Sequence, residues 1–95
     1  MTEKKPDADF VVRNAFKVTG RGTCVGGYIS SGAIHSGDRL EWFDGTVERQ
    51  CTCRGVSGVR TVPILDPPTV ALSVPDARPS DFSEGTVIAV YTTHA

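Results

Sequence analysis

A glycine-rich stretch, VTGRGTCVGG at residues 18–27, is the part of the sequence with the clearest potential for chemistry. Such loops bind phosphate where they join a strand to a helix, because backbone N–H groups at the helix start face the ligand. A P-loop also needs Lys and then Ser or Thr after its last glycine, but Tyr28 and Ile29 follow Gly27. The dinucleotide-binding pattern G-x-G-x-x-G fails too, because its third glycine comes one residue late. We therefore predict that this stretch turns a β-hairpin with Arg21 at its tip, and that the chain binds no GTP.

Three cysteines and two histidines are the other candidates for catalysis or metal binding. Cys51 and Cys53 are two residues apart, so a strand would place both thiols on one face. A structural zinc site usually has four ligands with C-x₂-C spacing, which Cys24 and His35 do not supply. A Cys-His nucleophile would need His35 or His94 to reach a thiol, and no spacing indicates this. We predict reduced cysteines, no catalytic residue, no bound metal and no cofactor.

The distribution of charge gives a weak indication of nucleic-acid binding. The net charge is −1, which provides no overall attraction to a polyanion. Residues 10–37 nevertheless contain no carboxylate, whereas Arg13, Lys17 and Arg21 lie there. Two interpretations remain open, a solvated strand face and a surface that binds phosphates.

Length and composition are typical of one small globular domain. The chain has 95 residues, 39% of them hydrophobic and 22% charged. No apolar run approaches the roughly 18 residues of a membrane span, and no signal peptide is recognisable. We expect a disordered tail at residues 1–9, a single domain at 10–95, no membrane association and a cytoplasmic location.

Period-two alternation of apolar and polar residues predicts an all-β fold. The six predicted strands cover residues 10–18, 23–30, 39–43, 46–55, 69–74 and 86–92. Asp44-Gly45 is typical of the central pair of a two-residue hairpin turn, in which both residues have positive φ.

The same alternation predicts which side chains of two strands are buried. In the first strand, Phe10, Val12, Phe16 and Val18 would face the core, while Arg13, Ala15 and Lys17 would face solvent. In the third, adjacent Trp42 and Phe43 would place one ring on each side of the sheet. An exposed ring there would favour a binding surface.

Three blocks of sequence resemble the second domain of elongation factor Tu and related translational GTPases. They are FKVTGRGTCVGGYISSGAIHSGD at 16–38, CRGV at 53–56 and DFSEGTVIA at 81–89. The resemblance covers about residues 10–92 and implies a closed six-stranded antiparallel β-barrel. The family's nucleotide-binding machinery lies in a separate domain, so the resemblance implies a module without GTPase activity.

In that family the barrel contacts the aminoacylated 3′ end of transfer RNA, or ribosomal RNA. The resemblance places Arg13 and Asn14 where elongation factor Tu has an acidic pair, and Phe16 at a shared aromatic position. Gly26 replaces a threonine, and Ser57 replaces a glutamate. With the basic residues, the candidate site for RNA or a partner protein comprises Arg13, Asn14, Phe16, Lys17, Arg21, Gly26 and Ser57.

Three functional hypotheses follow from these observations. The first is a non-catalytic, translation-factor-like β-barrel that serves as an interaction module for protein or RNA. The second is an RNA- or ribosome-binding protein that uses the face of Arg13, Lys17 and Arg21. The third is a small enzyme or metal protein built on the cysteines.

Overall fold

The described part of the computed structural model, residues 5–59 and 68–92, is all-β, as the alternation predicts. This part of the chain contains seven strands and one short 3₁₀ turn, Pro79–Asp81. The strands are β1 Ala8–Val18, β2 Gly22–Gly32, β3 Arg39–Phe43, β4 Glu48–Thr52, β5 Gly55–Val59, β6 Thr69–Ser73 and β7 Val87–Tyr91. No helix within this part of the chain is long and apolar enough to cross a membrane.

The strands form one antiparallel sheet in the order β4-β3-β7-β1-β2-β6-β5. The prediction of six strands closed into a barrel is wrong, because β4 and β5 are separate edge strands. The predicted fourth strand breaks where its hydrogen-bond partner changes. The Cys53 N–H donates to the Asp38 carbonyl at 2.9 Å, beside β3, whereas the Arg54 N–H donates to the Ser73 carbonyl of β6 at 2.8 Å. One bend of the backbone therefore connects the two edges of the sheet.

The β1–β2 hairpin turns at the predicted glycines. Gly20 and Gly22 both have φ of +83°, a conformation that glycine adopts without strain. The Arg21 N–H donates to the Val18 carbonyl at 3.0 Å, which closes the turn. The prediction of a turn at Gly20–Gly22 with Arg21 at its tip is confirmed.

The β3–β4 hairpin forms at Asp44-Gly45, but its predicted turn type is wrong. Gly45 has φ of +100°, whereas Asp44 does not have positive φ. The Asp44 carboxylate instead accepts hydrogen bonds from the backbone N–H groups of Thr46 and Val47, at 2.8 and 2.9 Å. An aspartate side chain thus organises a longer loop than the two-residue turn we predicted.

A β-bulge in β1 exchanges the two faces of that strand. Val12 pairs with Gly27 and Asn14 pairs with Gly26, so Arg13 is an extra residue in β1. Beyond the bulge Ala15 packs against the core, and Phe16 is 39% exposed. The prediction of a buried Phe16 and an outward Ala15 is therefore wrong, because simple alternation does not include the inserted residue.

The core fills the inner face of the sheet from β3 through β6. It contains Phe10, Val12, Val25, Leu40, Leu72, Ile88 and Val90, all at most 1% exposed. Trp42 stacks on Phe82 with ring centroids 4.5 Å apart, and its indole N–H donates to the Asp81 carbonyl at 2.9 Å. Phe43, its neighbour, is 60% exposed, so the prediction of one ring on each side of the sheet is confirmed.

The first strand begins earlier than predicted. Ala8 is buried and pairs with Gly32 and Val90, and Asp9 pairs with Ser31. Residues 8 and 9, which we assigned to the tail, therefore belong to the sheet, and residues 1–4 lie outside the described residues.

Candidate functional site

A groove of about 450 Å³ lies on the outer face of β1, β2, β6 and β5. Two rows of small residues cross it, because the strand registers align them. Cys24 pairs with Ser73, and Ser73 with Gly55. In the next row Gly26 pairs with Ala71, and Ala71 with Ser57. Short side chains in neighbouring positions leave room above the sheet, so this row arrangement forms the groove floor.

The bulge in β1 supplies the wall of the groove. After the bulge, Phe16 pairs with Cys24 and Asn14 pairs with Gly26, so both lie at the β1 end of the two rows. A Cβ atom at Gly26 would lie 2.5 Å from Asn14 Oδ1 and 3.7 Å from Phe16 Cε1. Glycine therefore leaves space for both side chains. Phe16, which is 39% exposed, is the aromatic residue among those that line the groove.

Two arginines give the groove a positive charge. Arg21 lines it from the hairpin tip, and Arg54 lines it from the bend between β4 and β5. Arg54 Nη2 lies 3.7 Å from Asp76 Oδ2 at an exposed position, where an ion pair contributes little. Arg21 has no ion-pair partner within the described ranges, and no carboxylate is among the residues that line the groove. The groove is therefore suited to an anion or to a carbonyl-rich ligand.

Arg13 is committed elsewhere and does not line the groove. Its Nη1 donates to Thr69 Oγ1 at 2.5 Å, and its guanidinium carbon lies 4.8 Å from the centre of the Tyr28 ring. A hydrogen bond and a cation–π contact give this side chain a structural role. Lys17 is an exposed residue of β1 that pairs with Thr23 near the start of β2. It is also not among the residues that line the groove.

The structure thus brings together only part of the predicted site. Phe16, Arg21 and Ser57 line one groove. Asn14 and Gly26 lie in the row of paired residues that continues through Ala71 to Ser57. The sequence interpretation missed one functional candidate, Arg54. That arginine follows the Cys53 strand break, and the CRGV block was the signal that could have drawn attention to it.

The three cysteines are free, and burial suppresses thiolate formation at Cys51 and Cys53. Burial raises the pKa of Cys51 to about 12, with a smaller contribution from neighbouring Cys53. Burial also raises the pKa of Cys53, whose thiol donates to the Gly55 carbonyl at 3.3 Å. Cys24 is buried in the groove floor. Thiols in apolar surroundings are poor nucleophiles, so these contacts indicate packing roles.

Among the described residues, His35 forms no hydrogen bond with any of these thiols. His35 is 72% exposed, with its Nδ1 3.9 Å from Asp38 Oδ2. His94 lies outside the described residues. Within residues 5–59 and 68–92, no three His, Cys, Asp or Glu side chains are placed so that they could hold a metal ion.

The sequence matches no family model. The likeness to the second domain of elongation factor Tu therefore depends on the three blocks of sequence.

Proposed function

We propose that this protein is a non-catalytic interaction module, similar to the second domain of elongation factor Tu. The observation that carries the proposal is the groove, whose lining includes the partly exposed Phe16 together with Arg21 and Arg54. An aromatic surface with fixed positive charges favours recognition of a ligand, and it provides no general acid or base.

The positions of the three sequence blocks support the likeness to this domain. The first block covers most of the β1–β2 hairpin, the second contains the bend at Cys53 and Arg54, and the third leads into β7. The open edges at β4 and β5 are a difference from the closed barrel of the family. The translation-factor relationship is therefore proposed at the level of the hairpin and the groove.

The groove lacks the groups that catalysis would require. Its lining in the described structure contains no histidine and no carboxylate, and its one thiol, Cys24, has no base beside it. Nucleophilic catalysis needs an activated nucleophile with an adjacent base or a lowered pKa. Binding is accordingly the role that we assign to the groove.

RNA is the favoured ligand class, which makes RNA binding our second and more specific proposal. Single-stranded RNA is commonly held by stacking of bases on aromatic rings, with arginines on the neighbouring phosphates. Phe16 offers such a ring, and Arg21 and Arg54 offer the charges. This replaces the predicted face of Arg13, Lys17 and Arg21, since Arg13 is held by Thr69 and Tyr28.

Fluorescence anisotropy with a labelled, unstructured six-nucleotide RNA tests this proposal. If both arginines neutralise phosphates, log affinity should fall against log salt with a slope of roughly −1.4, at about 0.7 per phosphate. Arg21→Gln and Arg54→Gln should each flatten the slope by about 0.7. Phe16→Ala should weaken binding by roughly 1–3 kcal/mol without changing the slope, through loss of stacking.

Arg78→Gln is the matched control, because Arg78 is exposed and lies outside the groove lining. It should leave both affinity and slope unchanged. Absence of saturable binding would refute the RNA proposal, as would an equal loss in the Arg78→Gln protein. We also expect no preference for aminoacylated over free transfer RNA, since Arg13 and Asn14 replace the acidic pair of elongation factor Tu.

A further inference from the structure

A second outer surface, formed by β3, β7 and β1, carries an exposed apolar row. Val11 of β1 pairs with Val87 of β7. Glu41 pairs with Ala89, and because the strands are antiparallel this register places Phe43 beside Val87. Phe43 is 60% exposed and Val87 is 55% exposed. We call the outer surface of β3, β7 and β1 around this row the β3–β7 face.

Carboxylates flank this apolar row. Asp9 and Glu41 lie on either side of Ala89 in the next row, and Glu48 pairs with Phe43. Two cations lie on or beside this face. Arg39 has its Nε 2.6 Å from Glu41 Oε2, and the Arg13 guanidinium lies over the ring of Tyr28, the β2 partner of Val11. The β3–β7 face therefore has a net negative charge, opposite in sign to the groove.

The surface is concave where a small residue lies between larger ones. A cleft of about 240 Å³ is lined by Phe43, Val87, Ala89 and Tyr91 together with Glu41 and Glu48. The Tyr91 ring is held in place by the Arg39 guanidinium, whose carbon lies 5.1 Å from the ring centre. A side chain of a partner could enter this cleft above Ala89 with carboxylates within reach.

We propose that the β3–β7 face docks an extended segment of a partner protein, with an apolar side chain at one position and Lys or Arg two positions later. Successive same-face positions of an extended chain are about 6.6–6.8 Å apart, which is also the spacing between the apolar row and the Ala89 row. The apolar side chain would cover Val87 and Phe43. The cation would enter above Ala89, near Glu41 and Glu48.

Charge complementarity and area determine this choice of partner. An apolar row beside unbalanced carboxylates favours a basic, partly apolar segment and disfavours RNA, whose phosphates these carboxylates repel. The patch is far smaller than the roughly 800 Å² that each partner buries in a stable complex, so we expect weak and reversible binding. This inference concerns a different face from the groove, and either proposal can fail without the other.

Two synthetic peptides provide the test, Ser-Leu-Ser-Lys-Ser-Leu-Ser-Lys-Ser and the same sequence with Glu for each Lys. In ¹H–¹⁵N NMR titrations of the whole chain, the lysine peptide should move the amide signals of Phe43, Val87 and Ala89 in a saturable manner. The glutamate peptide should not. Phe43→Ser should weaken binding roughly tenfold through lost apolar contact, and Glu48→Gln roughly two- to fivefold.

Val56→Ser is the matched control, because Val56 is 37% exposed and its strand, β5, lies at the far end of the sheet from β3. It should bind the lysine peptide as the parent protein does. Fluorescence of Trp42, which is buried on the core side of β3, checks that each variant is folded. Equal binding of the two peptides, or signals that move in the groove alone, would overturn the proposal. Concentration-dependent self-association through Phe43 without peptide would also overturn it, because the occupant would then be a second copy of this chain.

Discussion

Gly27→Ala should destabilise the protein strongly, because Gly27 faces the core at the bulge in β1. A Cβ atom there would overlap the Val11 carbonyl oxygen and lie 2.9 and 3.0 Å from two carbons of the fully buried Phe10 ring. The overlapped atom belongs to the backbone, so rotation of a side chain cannot relieve it. Overpacking of a core typically costs 1–3 kcal/mol. Removal of a glycine from the unfolded chain returns about 0.4–1 kcal/mol. Because the overlap is with backbone, the cost should lie near the upper end of this range, which leaves a net loss of about 2 kcal/mol.

Gly26→Ala is the matched control for this substitution. Its Cβ would meet Asn14 Oδ1 at 2.5 Å, at the end of an exposed side chain that can rotate away. The expected change in the free energy of unfolding is below about 1 kcal/mol. Urea unfolding followed by fluorescence of Trp42, the single tryptophan, measures both variants. If Gly26→Ala were the more damaging, or if Gly27→Ala were neutral, the register that places Phe16 and Asn14 over the groove would be wrong.

Three further predictions concern titratable groups and nucleotide binding. Hydrogen bonds from Val47 N–H, Arg49 and Thr46 N–H lower the pKa of Asp44 to about 2 from 3.8, so its contribution to stability is present above about pH 4 and is lost as the pH falls towards 2. Carboxyl NMR should place the Asp44 midpoint near 2, and a midpoint near 4 would contradict the loop geometry. Because the pKa of Cys51 is about 12 in the folded protein, the free energy of unfolding should decrease as the pH rises above 9, where the thiol of the unfolded chain ionises. Iodoacetamide at pH 8 should label native protein far more slowly than urea-unfolded protein. Calorimetry with GTP and magnesium should detect no binding, since no strand-to-helix phosphate loop occurs in the described chain, and micromolar affinity would refute this.

The all-β class and two of the hairpin positions could be predicted because they depend on local residues. Alternation identifies strands, and glycines with positive φ mark turns. The turn at Gly20–Gly22 and the division of Trp42 and Phe43 between the two faces were predicted for these reasons. Asp44 shows the limit of such rules, because its side chain bonds to the following backbone in place of the two-residue turn.

Two errors, the buried Phe16 and the unbroken fourth strand, arise because bulges and changes of strand partner leave little local signal. The bulge at Arg13 inserts one residue and so reverses which side chains of β1 are buried. The break at Cys53 depends on contacts with Asp38 and Ser73, which are distant in sequence. Phe16 was therefore assigned to the core, and Arg54 was not recognised as part of the site.

An NMR titration with the six-nucleotide RNA tests the central claim most directly, because it locates the ligand on the sheet. Binding in the groove should move the amide signals of Gly55, Ser57 and Ser73 most. At the same RNA concentration the Arg54→Gln protein should show a weaker response, whereas the Arg78→Gln protein should respond as the parent protein does. No movement of these signals at saturating RNA, or larger movement around Phe43 on the β3–β7 face, would contradict the assignment of the groove as the binding site.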